Sequence, residues 1–440
     1  MKTILERAKG SSLDISTNQD VPVPIITSLS PHTQQIRCLD FRQNYWEGMG
    51  KFSKANLGPL PLLRTLKINS FGTDKNDQPI TSPPPSFFTD AINVEEFTFS
   101  SMGFQFHNHF NFPNLTTFSL WTHEVVRLKA SDLFNFLKAS PILRTVRINA
   151  YTGIMLEDIP QETVVTLPNV ETFELLCGSK NIYDVAVRIS CPRVRDVSLT
   201  CEVMDLDMPP VWEIFPTPVP WNKIVHQHTR SLVEEVTLEI RPFYDPCFLT
   251  FRTSDTGVIR LVYKVFPPVS HGGEQNINPD EIIYEAFRQG FRTIQAHPLL
   301  SNVKRLHIKC RDLGLYTYQV PFSAAEIERL FKQVGPLDEF TLGGCDLDPY
   351  LTGFGELDYL GKPIVFPYIK EFTISHLTMA ANEEECMDAI VKLAKSQHMR
   401  GIPFEHMTVR MERLPAAMAK RLRRWVGVAD CYEEDSSTED

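Results

Sequence analysis

A six-residue pattern recurs twelve times along this 440-residue chain: apolar, two variable residues, apolar, one variable residue, apolar. Leu63-Arg64-Thr65-Leu66-Lys67-Ile68 is one copy and Val170-Glu171-Thr172-Phe173-Glu174-Leu175 another. The copies begin at Ile36, Leu63, Val94, Leu115, Leu143, Val170, Val194, Val233, Val303, Leu337, Ile369 and Phe404. Side chains alternate faces along a strand, so the second and third apolar positions share one face. A single strand of this kind has nothing to bury that face against, so the copies are expected to stack side by side as a solenoid.

The residues between the apolar positions form two outward columns. One runs Asp40, Lys67, Thr98, Ser119, Arg147, Glu174, Ser198, Thr237, His307, Thr341, Thr373 and Thr408. The other runs Cys38, Thr65, Glu96, Thr117, Thr145, Thr172, Asp196, Glu235, Arg305, Glu339, Glu371 and His406. Both are polar and rich in β-branched threonine, as a solvated strand face should be. Pro61, Pro113, Pro141, Pro168, Pro192, Pro367 and Pro403 stand just before copies, where the missing N–H costs nothing. Successive copies begin 21 to 39 residues apart, except for the 70 between Val233 and Val303. Such gaps let the chain turn away and return parallel. The expected fold is therefore α/β: a solenoid with a curved parallel sheet and with helices and loops on the outer side. Ordinary α/β layering is the main alternative.

Helix signals fall in several gaps. Ser131 can cap a helix carrying Leu133, Phe134, Phe136 and Leu137. Ser323-Ala324-Ala325-Glu326 is a capping box before Ile327, Leu330 and Phe331, and Asn382 precedes Met387, Ile390, Val391 and Ala394. Helices are also expected over 279–297 and about 415–426, the last of them capping the stack. The repeat region is expected to span 1–428, with insertions at about 202–232 and 240–280. In the second insertion, runs over 247–252 and 258–266 flank Ser254-Asp255-Thr256-Gly257 and predict a hairpin. The segment 429–440 holds Asp430, Glu433, Glu434, Asp435, Glu439 and Asp440 without a base and reads as an acidic disordered tail.

The formal charge of −10 argues against a nucleic-acid surface. No apolar run approaches a membrane span, and charges in Met1-Lys2-Thr3-Ile4-Leu5-Glu6-Arg7 do not suit a signal peptide. Nine cysteines without a C-x-x-C pair point to reduced thiols in the cytoplasm or nucleus. Catalytic and metal signatures are weak. His107-Asn108-His109 and His226-Gln227-His228 lack a third ligand at a recognisable spacing. Gly353 and Gly355 lack the third glycine of a phosphate cradle, and Asp74, Asn76 and Asp77 lack a later bidentate glutamate. Neither an enzyme nor a cofactor is expected.

Leu5-Glu6-Arg7-Ala8-Lys9-Gly10 with Ser12-Leu13-Asp14-Ile15, Leu167-Pro168-Asn169-Val170-Glu171-Thr172-Phe173, and Arg230-Ser231-Leu232-Val233-Glu234-Glu235-Val236-Thr237-Leu238 resemble segments of a large family in mushroom-forming fungi (basidiomycetes). These are F-box proteins with leucine-rich-repeat-like C-terminal regions. The resemblance implies the substrate-recognition role of a ubiquitin ligase receptor, whose F-box docks on a Skp-type adaptor while the repeats hold the target protein. The helical F-box normally precedes the Leu5–Lys9 segment, and four residues stand there in this sequence. Adaptor binding is thus expected only if an F-box is missing from the sequence. The leading expectation is a non-catalytic protein-binding scaffold. The alternatives are a carbohydrate-active β-helix enzyme, or a structural or decaying family member without a partner. Candidate partner-binding residues are Lys67, Glu96, Arg147, Glu174, Glu235, Arg305, His307, Glu339 and Glu371 in the outward columns, with Trp212 and Trp221 in the first insertion.

Overall fold

In a computed structural model, the structure describes residues 10–17, 28–43, 59–70, 91–101, 110–122, 128–150, 153–177, 182–203, 233–240, 247–254, 257–265, 302–310, 334–343, 368–375, 383–411 and 416–433. The protein is α/β, with large, mainly parallel sheet and few helices among these residues. It divides into two compact units. The first is Met1–Glu202 with Asn222–Arg230, and the second Val203–Trp221 with Ser231–Asp440.

The first unit carries β1 (Leu13–Thr17), β2 (Ile36–Gln43), β3 (Thr65–Ser70), β4 (Glu96–Ser101), β5 (Thr117–Thr122), β6 (Leu128–Lys129), β7 (Thr145–Ala150), β8 (Ile154–Met155), β9 (Val165–Thr166), β10 (Thr172–Cys177), β11 (Ile189–Ser190) and β12 (Asp196–Val203). Its helices are α1 (Ala130–Lys138) and α2 (Ile182–Ala186). The sheet order is β1-β2-β3-β4-β5-β7-β10-β12, with every neighbouring pair parallel. Two small parallel pairs, β6/β8 and β9/β11, lie outside it.

Register follows the hexamer without a slip from β2 to β12. Leu39, Leu66, Phe97, Phe118, Val146, Phe173 and Val197 pair in one row. Ile68, Phe99, Leu120, Ile148, Leu175 and Leu199 pair two residues on. A slip of one residue would turn each of these side chains to the other face, so the apolar rows hold the ladder in place. Leu66, Phe97, Phe118, Val146 and Phe173 are fully buried. Phe110, Phe112 and Phe136 fill the space behind β4 and β5: the Phe118 and Phe136 ring centroids are 4.6 Å apart, those of Phe97 and Phe110 5.0 Å.

The prolines have a definite place. In Leu60–Leu63, Phe112–Leu115, Ser140–Leu143, Leu167–Val170 and Cys191–Val194, the fourth N–H donates to the first carbonyl at 3.1, 3.1, 3.3, 3.4 and 3.1 Å. Pro61, Pro113, Pro141, Pro168 and Pro192 occupy the second position of these β-turns, where a fixed φ near −65° is already correct. The first turn residue is buried (Leu60, Phe112, Ser140, Leu167, Cys191), so each turn also plugs the core. Asparagines at the third position tie one turn to the last. Asn93, Asn114 and Asn169 Nδ2 donate to the carbonyls of Pro61, Ile92 and Pro141 at 2.7, 3.1 and 3.1 Å.

Helix α1 buries Ala130, Leu133, Phe134, Phe136 and Leu137 as its periodicity predicts. Its start differs from expectation. Lys129 is the N-cap and makes no side-chain cap bond. Instead Asp158, from a later segment, accepts from the Ser131 N–H at 3.3 Å and from the Ser131 hydroxyl. The carboxylate supplies both the acceptor and the negative charge that a helix start favours.

The second unit carries β13 (Val233–Ile240), β14 (Cys247–Thr253), β15 (Val258–Val265), β16 (Arg305–Cys310), β17 (Leu337–Gly343), β18 (Ile369–Ser375), β19 (His406–Met411) and β20 (Val428–Glu433), with α3 (Glu383–Met399) and α4 (Ala416–Leu422). The order is β15-β14-β13-β16-β17-β18-β19-β20. From β13 to β20 all pairings are parallel, whereas β14 and β15 form the expected hairpin and β14 pairs antiparallel with β13. The strands of the second insertion are therefore part of the sheet. Val236, Leu306, Phe340, Phe372 and Met407 form one buried row, and Leu238, Ile308, Leu342, Ile374 and Val409 the next.

Two expectations at the C-terminal end are corrected. Residues 415–426 were expected to cap the stack, but α4 is a crossover that leads into β20. Residues 429–433, read as tail, form most of that strand. Ala429 and Cys431 pair with Met407 and Val409 on the apolar rows, so parity places the acidic Asp430, which pairs with Thr408, on the opposite face. Residues 434–440 lie outside the described residues, as do the helices expected at 279–297 and 323–331 and most of 202–232. Helix α3 buries Met387, Ile390, Leu393, Ala394 and Gln397, while Val391 is half-buried.

Candidate functional site

Strand parity sends every outward-column residue to the face opposite the apolar rows, so the candidates line up in register. Lys67 on β3 pairs with Glu96 on β4 at 2.9 Å, and Arg147 on β7 with Glu174 on β10 at 3.2 Å. The Glu96 carboxylate is the main reason the Lys67 ammonium holds its proton above the ordinary lysine range. Around these pairs lie others: Arg37 makes two contacts to Asp14, at 3.1 and 2.6 Å, and Arg64 meets Glu95 at 2.7 Å.

In the second unit Glu235 is a hub. Its carboxylate accepts from Arg252 Nε at 2.9 Å and Arg305 Nε at 3.1 Å, and its side chain is only 15% exposed. Arg252 comes from the hairpin, so the inserted strands help neutralise it. His307 is buried beside this hub. Its Nδ1 lies 2.9 Å from Thr341 Oγ1, its Nε2 4.0 Å from Glu235, and Thr341 Oγ1 is 3.4 Å from Glu339. Burial lowers the His307 pKa below the ordinary histidine value. Glu339 and Glu235 pull it up, Lys309 and Arg305 push it down, and burial prevails. Glu371 is exposed and stands in register between Glu339 and His406. Further along, Lys370 meets Asp338 at 2.6 Å and His406 Nε2 meets Asp430 at 2.8 Å.

Lys67 and Glu96, Arg147 and Glu174, and Arg305 and Glu235 thus come together as cross-strand partners rather than as free charges. Exposed pairs of this kind each contribute about 0–1 kcal/mol; their main effect is to fix which polar pattern the face presents. No group of three or more His, Cys, Asp or Glu side chains able to hold a metal occurs among the described residues. Trp212, Trp221, His107, His109, His226 and His228 lie outside the described residues. No protein-family model and no curated protein matches the chain.

One feature of the face was missed by the sequence reading. The residue after the third apolar position begins a third outward column: Asn69, Ser100, Trp121, Asn149, Leu176 and Thr200, in register from β3 to β12. On this column, within the first unit, a depression of about 110 Å³ opens between β5, β7, β10 and β12. Trp121, Arg147, Asn149, Glu174, Leu176 and Thr200 are among its lining residues. Trp121 is 43% exposed, whereas Asn149 is 6% exposed. Asn149 Oδ1 has no hydrogen-bond donor among the described residues. The same period-two count that found the first two columns extends to this one, so its signal was in the sequence.

Proposed function

We propose that the protein is a non-catalytic protein-binding scaffold, a leucine-rich-repeat-like solenoid that presents its outward columns to a partner protein. The observation that carries this reading is the unbroken register of the hexamers within each unit. It sets a continuous polar face, with paired charges and threonines, against a dry apolar one. Such a face offers directional hydrogen bonds and patterned charge, which select a partner more than they add affinity. The resemblance to fungal F-box proteins supports a narrower form of the reading. In it the chain is the substrate-recognition part of a ubiquitin ligase receptor, acting in the cytoplasm or nucleus, and a Skp-type adaptor joins only through an F-box encoded upstream. No described helix is long and apolar enough to cross a membrane.

The test is affinity purification of the tagged chain, expressed with its genomic upstream region, followed by mass spectrometry. Wild-type chain is compared with a Lys67→Glu/Arg147→Glu/Arg305→Glu variant of matched melting temperature. Partners retained by the wild type and lost by the variant support the scaffold, and ligase subunits among them support the receptor form. Identical recovery from both, or none from either, refutes recognition by this face.

A further inference from the structure

The geometry points to the depression beside Trp121 as a reader of one arginine side chain on a partner protein. This inference rests on the scaffold reading and names the partner chemistry for one spot on its surface. The volume, about 110 Å³, is roughly that of four waters. Small-molecule pockets run from about 300 Å³ upward. The space therefore suits the head of a single side chain.

What it lacks defines what it takes. Asn149 Oδ1 is a buried acceptor with no donor among the described residues, and a buried polar atom in a folded protein normally has a partner. An occupant must therefore donate. An anion would oppose this acceptor, and an aliphatic group would leave it unmet. Trp121 on β5 and Leu176 on β10 flank Asn149 in register, so the donor arrives between an exposed indole and an aliphatic side chain. A planar, weakly hydrated cation fits both demands. The guanidinium stacks on an indole face, donates in its own plane, and carries an apolar stem. Lysine carries the charge but no plane. At the rim, Glu174 meets Arg147 at 3.2 Å. The resident cation is thus already neutralised, and Glu174 keeps lone pairs for an incoming donor. The chain's formal charge of −10 favours approach of basic segments.

The test uses the full chain and capped, fluorescein-labelled Gly-Arg-Gly-Arg-Gly peptide, with lysine and glutamate versions as controls, followed by fluorescence anisotropy. Wild type should bind the arginine peptide saturably, the lysine peptide more weakly and the glutamate peptide not at all. Trp121→Ala and Asn149→Leu should each weaken arginine-peptide binding roughly five- to thirtyfold, with melting temperatures not lowered by more than a few degrees. Trp121 is exposed, so its variant keeps the test open should Asn149→Leu fold poorly. Equal binding by wild type and variants places the peptide elsewhere and overturns the site. So does a lack of saturable binding at ~1 mM peptide, or a preference for lysine. Affinity purification with the wild type and Trp121→Ala separates this failure from that of the scaffold. If the wild type retains no partner, the scaffold reading falls; if both retain the same partners equally, the scaffold stands and the arginine site falls.

Discussion

Phe97→Ala tests the packing on which both polar columns of the first unit depend. Phe97 is fully buried, and its ring centroid lies 5.0, 5.1, 6.0, 6.0 and 6.2 Å from those of Phe110, Phe112, Phe118, Phe136 and Phe99. These rings come from β4, β5, α1 and the segment before β5, so one side chain joins four pieces of chain. Removing it deletes the transfer free energy of a ring and opens a cavity that the surrounding rings, themselves held by backbone, can only partly fill. The loss should be about 3–5 kcal/mol. At an m-value of roughly 3 kcal/mol/M, the urea midpoint of the transition that exposes this unit should fall by about 1–1.7 M. Because the chain has two compact units, a single-transition fit is unsafe. The midpoint should instead be followed by hydrogen exchange of peptides covering residues 96–122 and 130–138, which reports local opening. Phe97→Leu, which keeps more of the volume, should lose only about 1–2 kcal/mol. A Phe97→Ala shift below about 0.5 M, or equal losses from Ala and Leu, would refute a dry, close-packed interior beneath the columns.

Acid should weaken the second unit through His307. Its pKa is lowered by burial, so below the ordinary value of 6.5 the unfolded chain takes up a proton that the folded chain refuses. Stability therefore falls as pH drops below about 6.5, by at most about 1.4 kcal/mol per pH unit. His307→Gln, which can still reach Thr341, should flatten the melting temperature between pH 7 and 5; an unchanged slope counts against the assignment. Gly427→Ala should cost about 1–3 kcal/mol, because the added Cβ would meet the Glu405 carbonyl oxygen at 2.6 Å. Faster exchange at the β20 amides is the readout, since the Gly427 and Val428 N–H groups bond Phe404 and Glu405. Asn114→Ala removes an exposed bond to Ile92 and should cost only about 0.5–1 kcal/mol in thermal melts; no change would make the asparagine tie between turns incidental.

The hexamer carried more of the fold than any other signal, because its spacing encodes parity and parity encodes register. All twelve copies lie in or lead into strands, and within each unit both predicted columns pair as columns. β20 escaped notice although Val426, Ala429 and Cys431 satisfy the spacing. Their side chains are small, and the carboxylates of Asp430 and Glu433 made the segment read as tail. β1 escaped because Thr17 stands opposite Phe41 where an apolar residue was sought, and a bulge between Leu13 and Asp14 breaks the count. The asparagines of the turns were visible but mute. A third-position Asn looks like ordinary turn chemistry, and only the stacking of successive turns shows that its amide reaches the previous one. The Asp158 cap is less legible still, since its partner Ser131 lies 27 residues away.

Parity has a limit that bears on recognition. It states which face a side chain occupies and not whether a neighbour has already claimed it. Lys67, Glu96, Arg147, Glu174, Glu235 and Arg305 were chosen from sequence as charges open to a partner, and each meets an opposite charge on an adjacent strand. A partner competing for those groups must first separate a formed pair, so their contribution is discrimination more than affinity. Affinity has to come from groups the sheet leaves unmet, and those need not be charged. Asn149 Oδ1 and the open face of Trp121 are such groups, side by side on β7 and β5. Reversing the paired charges should therefore change which partners bind and how binding depends on salt. Filling the Asn149 depression with Leu should change how tightly they bind at any salt. A surface that worked by charge alone would show the opposite order of effects.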